Sequence, residues 1–215
     1  MTVRKSAYEV AHVDDLDAIP VSHGLVWRPV RRRFDVRAFG VNAYTSEQVG
    51  SQVVEEHTES QLGHEEIYVV LRGSATFMLD GEEVEVDAGS LVHIADPDVK
   101  RVALSREPET TVFALGGKPG EAYTVSAWEA MFAAMPAVRR GDWDEAIRLH
   151  HEALAERPEH PALLYNLACV EARAGRSIDA LAHLQRAVEL DPKWAAYART
   201  DTDFASIRRE PGFPV

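Results

Sequence analysis

The stretch HTESQLGHEEIY, residues 57–68, gathers two histidines, His57 and His64, with the carboxylates Glu59 and Glu66. Imidazoles and carboxylates are among the donors from which a transition-metal site can be built. His64 lies two residues before Glu66, which puts both on one face of a strand that reaches that far. The same groups, with Tyr68 beside them, would alternatively line a polar pocket for a small organic ligand. Either use requires that the carboxylates be answered by positive charge, because buried charges persist only when paired. His93 stands apart and reads as a strand-surface histidine.

The elements around this stretch read as short strands. Glu66–Leu71 (EIYVVL) is β-branched and aromatic, and Arg72-Gly73 ends it. Ala75, Phe77 and Leu79 alternate with more polar residues up to Asp80-Gly81, a strong hairpin signal because both residues tolerate positive φ. Glu83–Val86 returns with valines on one face, followed by strands at Ser90–Ile94, Val102–Leu104 and Thr111–Leu115. Upstream, Tyr8–Val13 and Val36–Tyr44 read as strands, and Arg31-Arg32-Arg33 reads as a solvated strand entry. Together these predict an antiparallel barrel of about eight to ten strands, whose closure removes exposed edges. Gly116–Gly120 lacks the spacing of a phosphate loop and reads as a linker.

The motif spacing resembles that of the cupin family, whose barrels usually hold a metal. Glu66, six residues and Gly73 match the family's first motif, and His57-Thr58-Glu59 occupies its His-x-His place. Ala95-Asp96-Pro97-Asp98-Val99-Lys100 stands where the family has Pro-x-Gly-x-x-His, so the resemblance puts Lys100 in place of the last histidine. An ammonium offers no lone pair while charged. The expectation is therefore a metal-free pocket of His57, Glu59, Glu66, Tyr68 and Lys100, with Lys100 supplying the positive charge. A divalent metal, were one bound, would be held by His57, Glu59, His64 and Glu66.

After Ala127 the hydropathy period becomes helical and the chain repeats itself. Gly141 and Gly175, Ala146 and Ala180, Ala153 and Ala187, and Pro158 and Pro192 are each 34 residues apart. That register resembles the tetratricopeptide repeat: Gly ends a first helix, Ala residues let paired helices approach, and Pro follows the second helix. A helix is expected before each, at 126–139, kinked or restarted at Pro136, and at 161–174. Trp194–Val215 resembles a capping segment, with Phe204, Ile207 and Phe213 covering the last repeat. The resemblance puts a concave groove on the first helices, lined by Trp128, Met131, Met135, Tyr165, Asn166, Cys169 and Arg173. Trp128 and the Met pair read also as packing against the chain's own barrel.

The expected architecture is thus β then α: a cupin-type β-barrel (jelly roll) at 1–118, a linker at 119–123 and a tetratricopeptide-repeat-like domain with its cap at 124–215. A hydrophobic content of 46% over 215 residues suffices for packed cores. The net charge of −12 argues against nucleic-acid partners. No apolar run spans a membrane, and the lone Cys169 excludes an intrachain disulfide, which fits a cytoplasmic setting. The functional expectation is a non-catalytic ligand-sensing or scaffold protein. Its partners would be a small molecule in the barrel, a protein or peptide on the repeats and, since two repeats fall short of a stable array, a second copy of the chain. The alternative is a metal-dependent cupin enzyme of isomerase or oxygenase type.

Overall fold

The computed structural model describes residues 10–21 and 24–214. The chain divides into two compact units, Met1–Val125 and Ser126–Val215. Among the described residues the first holds ten strands and a short helix: β1 (Ile19–Pro20), β2 (Leu25–Arg28), α1 (Val30–Phe34), β3 (Gly40–Ser46), β4 (Gln52–His57), β5 (Glu65–Arg72), β6 (Ser74–Leu79), β7 (Glu82–Asp87), β8 (Leu91–Ile94), β9 (Arg101–Ser105) and β10 (Thr110–Gly117). All pairings are antiparallel, in one sheet ordered β1-β2-β3-β10-β5-β8 and a second ordered β4-β9-β6-β7. The two sheets share one apolar core, with Tyr68, Val70, Val92 and Val112 from the first meeting Val53, Phe77 and Ala103 from the second.

The Asp80-Gly81 hairpin forms as its residues dictate, with Asp80 at φ 49° and Gly81 at φ 90° between paired Leu79 and Glu82. Gly73 is required twice over. Its φ is +73°, and a Cβ there would lie 2.4 Å from Oγ1 of Thr110. This close approach lies beside the Arg72–Thr111 pair, where the end of β5 meets the start of β10.

Several upstream expectations need correction. Tyr8 and Glu9 lie outside the described residues, and Val10–His12 form no strand. Val13–Asp15 instead make a 3-10 turn, capped by His12 and by the Asp15 carboxylate. The arginine run is helical (α1) rather than a solvated strand entry. Arg31 is buried and donates to the Val36 carbonyl. Asp35 then takes the left-handed conformation, so the next strand begins at Gly40 instead of Val36 and Phe39 is exposed. Gly116 and Gly117 belong to β10 rather than to a linker.

The second unit is helical: α2 (Ala127–Arg140), α3 (Trp143–Glu156), α4 (Pro161–Arg173), α5 (Ser177–Leu190) and α6 (Lys193–Thr200). Gly141 and Gly175 both take positive φ at the ends of first helices, at 70° and 78°. Ala146, Ala180 and Ala187 have no exposed surface, as close helix approach demands, while Ala153 is partly buried. Pro136 neither stops nor restarts α2, which runs through it. Phe204, Ile207 and Phe213 pack into the helical core and close its end. Substituting Leu at Ala180 should overpack this helix pair and cost about 1–3 kcal/mol. A thermal melt of Ala180→Leu that matched the parent would remove the alanines from the packing scheme.

Candidate functional site

The pleat of three strands and one loop assembles the polar cluster. On β5 the residues Glu66, Tyr68 and Val70 point inward, while Ile67 and Leu71 are exposed on the opposite face. His57 ends β4, and the following turn is closed by bonds from the Leu62 and Gly63 amides to the Glu59 carbonyl. The Glu59 amide donates to the Pro97 carbonyl at 2.9 Å, which turns its carboxylate toward His57. Opposite Glu66 in the ladder stands Gly116, where a Cβ would come within 3.0 Å of the Glu66 Cγ. Glycine there leaves the Glu66 side chain its place.

Arg101 completes the cluster. It pairs with His57 across β4 and β9, and its side chain has no exposed surface. Nη1 lies 3.6 Å from Oε2 of Glu66, an ion-pair distance too long for a hydrogen bond. Tyr68 donates to the same Glu66 oxygen at 2.6 Å. His57 Nε2 lies 3.6 Å from Glu59 Oε1 and 3.7 Å from Glu66 Oε2, and its Nδ1 donates to the Glu55 carbonyl at 2.7 Å. His64 Nδ1 is 3.1 Å from Glu59 Oε2, but off the hydrogen-bonding axis. Glu59 Oε2 and the Nε and Nη1 atoms of Arg101 are therefore buried without hydrogen-bond partners.

The electrostatics separate the two carboxyls. Burial, then repulsion from Glu66, pushes Glu59 up to about 7, and His57 and Arg101 offset this only in part. Burial also opposes ionisation of Glu66, but His57, the Tyr68 hydroxyl and the Arg101 charge outweigh it and hold that carboxyl below its ordinary value. For His57 the burial penalty is outweighed by Glu66, by the Glu55 carbonyl and by the Glu59 charge, so its pKa rises. Burial lowers His64 and drives the Tyr68 phenol well up.

Four of the five expected pocket residues, His57, Glu59, Glu66 and Tyr68, meet here, together with His64. Lys100 does not. Its side chain is 57% exposed and pairs with Glu56 at 2.8 Å. The reason is the pleat: a one-residue step along a strand reverses the face, so Arg101, Ala103 and Ser105 are buried and Lys100 is outside. Hydropathy pointed the other way, since Val102 and Leu104 are the apolar members of β9 yet lie on its outer face. His93 is a surface residue, 2.6 Å from Glu65. A cavity of about 490 Å³ is lined by Leu79, Glu82, His93, Ile94 and Asp96 and by none of the cluster's residues, though Arg101 Nη2 reaches the Asp96 carbonyl at 3.4 Å.

His57, Glu59 and Glu66 bring one donor atom each within 4.8 Å of one another, and the His57–Glu55 bond leaves Nε2 as a ligating nitrogen. Arg101 counts against that use. Two unit charges 4 Å apart interact by about 4 kcal/mol at an effective dielectric of 20, and a divalent ion doubles the repulsion from a guanidinium that cannot deprotonate. The donors alone would suit a divalent ion; the donors with Arg101 among them fit one poorly.

On the helical unit the expected groove residues part company. Tyr165 and Cys169 are buried beneath the C-terminal segment. The Tyr165 hydroxyl donates to Asp201 at 2.8 Å and its ring packs on Trp194 at 4.5 Å. Burial and the nearby Asp201 and Asp203 drive the Cys169 thiol up. Arg173 lies 3.7 Å from Asp203 and over the Trp143 ring. Met131 is exposed, Met135 and Asn166 are partly buried, and Trp128 packs on Phe132 at 5.2 Å. The tail thus occupies the C-terminal part of the surface expected to be open.

Two measurements test the cluster. Arg101→Met strips the charge partner from Glu66 and should cost about 3–5 kcal/mol, whereas Lys100→Met, on an exposed pair, should stay within about 1 kcal/mol. Equal losses in denaturant titrations would return Lys100 to the site. For Glu59 the folded value lies above the ordinary one, so the folded state holds its proton longer and stability falls as pH climbs from 4.5 through about 7. The raised His57 adds a loss of the same sign above 6.5. Glu59→Gln should therefore lose less melting temperature across that window than the parent, and an unchanged slope would refute the buried-acid assignment.

Residues 137–200 match the tetratricopeptide repeat family model. No curated protein matches the chain. Among solved structures, the first unit is similar to KdgF from Halomonas sp., with 18% identity over 52% of this chain and 92% of that one, at a TM-score of 0.42. It is also similar to a cupin-superfamily sugar phosphate isomerase from Silicibacter pomeroyi, with 15% identity over 55% and 83% and a TM-score of 0.44. PAC13 from Streptomyces, with uridine, shows 16% identity over 58% and 88% and a TM-score of 0.40. The first unit is thus a two-sheet antiparallel β fold similar to those solved structures, and residues 137–200 match the tetratricopeptide repeat family model.

Proposed function

We propose that this protein is a non-catalytic ligand-binding adaptor, in which the β unit takes a small polar molecule at His57, Glu59, Glu66 and Arg101 without a resident metal, and the repeats engage a protein partner. The observation that carries this reading is the set of buried polar atoms without a hydrogen bond, Glu59 Oε2 and Arg101 Nε and Nη1, on two residues that each approach the His57–Glu66 pair. Each such group costs about 1–3 kcal/mol while unsatisfied. A ligand that donates to Glu59 and accepts from Arg101, such as a compound bearing hydroxyl and carboxylate groups, would satisfy both. His57, whose side chain is 31% exposed, marks the side open to solvent.

The test is a thermal-shift screen of hydroxy acids and sugar acids on untagged protein, with elemental analysis alongside. A stabilising compound whose effect vanishes in Arg101→Met but persists in His93→Ala supports the reading. About one metal per chain in the parent, lost with His57→Ala, would overturn the metal-free assignment. One observation favours a second reading. Glu59, buried and held near neutrality beside His57, is suited to proton transfer, and general acids and bases work best when their pKa lies near the operating pH. Turnover of a bound compound, or solvent-hydrogen exchange into it that is lost in Glu59→Gln, would select that reading.

A twofold pair of β units completes the proposal. Ile67, Leu71 and Leu91 are exposed on one face of β5 and β8, at 39%, 45% and 68%, beside the free edge of the sheet. An apolar face at a strand edge invites a second copy. Light scattering should give a dimer for the parent and a shift toward monomer for Leu91→Glu. A monomeric parent would end that part of the proposal.

A further inference from the structure

A second donor cluster lies between the helices of the two repeats. His151 on α3 and His183 on α5 have ring centroids 6.0 Å apart at an interplanar angle of 70°. His183 Nδ1 is 2.7 Å from Oε2 of Glu171 on α4, whose side chain is only 3% exposed. A buried carboxylate accepting from Nδ1–H fixes the tautomer and leaves Nε2 to coordinate, the arrangement found behind metal-ligating histidines. Asp179 stands one turn before His183 on α5, so the two share a helix face.

We propose that His151, Asp179 and His183 form a binding site for a divalent transition-metal ion of the zinc class, with Glu171 as the positioning residue behind His183. Imidazole and carboxylate donors in this number suit zinc or nickel. Two imidazoles on a tetrahedral ion, at a metal–nitrogen distance of about 2.0 Å, hold their ring centres about 5 Å apart. The observed 6.0 Å leaves only a side-chain adjustment. Among the described residues the three donors do not yet lie within 4.8 Å of one another. His151 and Asp179 are exposed, so they can turn inward without leaving a packed site. The ion would tie the second helix of one repeat to that of the next, adding a cross-link to an array of two repeats where three are the usual minimum. Binding to the folded state alone raises its stability by mass action.

The rival account is that Glu171 and His183 are only a buried ion pair joining α4 to α5. The experiment titrates zinc alone into the chelator-stripped full chain in mildly alkaline buffer, by calorimetry and by thermal melting, for the parent and for His151→Ala, His183→Ala, Glu171→Gln and His57→Ala. The site predicts a zinc-dependent rise in melting temperature that survives His57→Ala and is lost in His151→Ala. Glu171→Gln should weaken binding by about 10–100-fold without abolishing it. His151 is exposed, so His151→Ala keeps the test decisive even if His183→Ala fails to fold. Zinc binding unchanged in His151→Ala, lost only in His57→Ala, or absent from the parent would overturn the site and leave the ion pair.

Discussion

A guanidinium with no exposed surface is the constraint on which the β unit's interior depends. Arg101 cannot shed its proton, so its burial must be answered by carboxylates within a few ångströms. Glu66 answers it, and Tyr68 and His57 reinforce the ionised form of Glu66. Glu59 is left as the surplus acid, too close to Glu66 for both to ionise easily, and its pKa rises to about 7. The divided behaviour of two glutamates seven residues apart thus follows from one arginine and from the strand that aims it. The backbone serves the same arrangement, through the glycine facing Glu66 and the Pro97 carbonyl that anchors the Glu59 turn.

The helical unit solves a different problem, that of ending a short repeat array. Small residues at Ala146, Ala180 and Ala187 bring the helices together. The last repeat would still present an apolar face. Phe204, Ile207 and Phe213 cover it, and Trp194 stacks on Tyr165. Asp201 then satisfies the buried Tyr165 hydroxyl, so the cover is sealed by a hydrogen bond as well as by area. Covering that end removes Tyr165 and Cys169 from any partner. What remains for docking on the first helices is the N-terminal part, where Met131 is exposed.

The sequence made the repeat register and the hairpin legible because each rests on residues with a local cause. Asp80-Gly81 turns because both residues accept positive φ, and Gly141 and Gly175 end helices for the same reason. The Glu66–Gly73 spacing was legible too, since Gly73 alone tolerates the contact with Thr110. The strand start at Val36 was not, because a left-handed Asp35 and a buried Arg31 are set by tertiary contacts that no periodicity encodes. Likewise the tail was legible as a cap from Phe204, Ile207 and Phe213, but its burial of Tyr165 and Cys169 of the expected groove was not.

The site's cation shows how a motif and a pleat can disagree by one residue. Motif spacing put the family's last metal-ligand position at Lys100, and the pocket's positive charge was expected from that residue. Strand β9 instead presents its odd-numbered residues to the interior, so the neighbour Arg101 fills the role and Lys100 turns out to Glu56. The difference in chemistry is larger than the difference in position. An ammonium inside would be a point charge able to lose its proton when buried, whereas a guanidinium stays charged and holds donors in a fixed plane. On the proposed reading, the positive charge that a divalent ion would lend this kind of pocket is here part of the chain. It cannot be chelated away, and it offers hydrogen bonds where an ion would offer open coordination positions. The pocket then selects a ligand by where its acceptors meet Arg101, not by its capacity to coordinate.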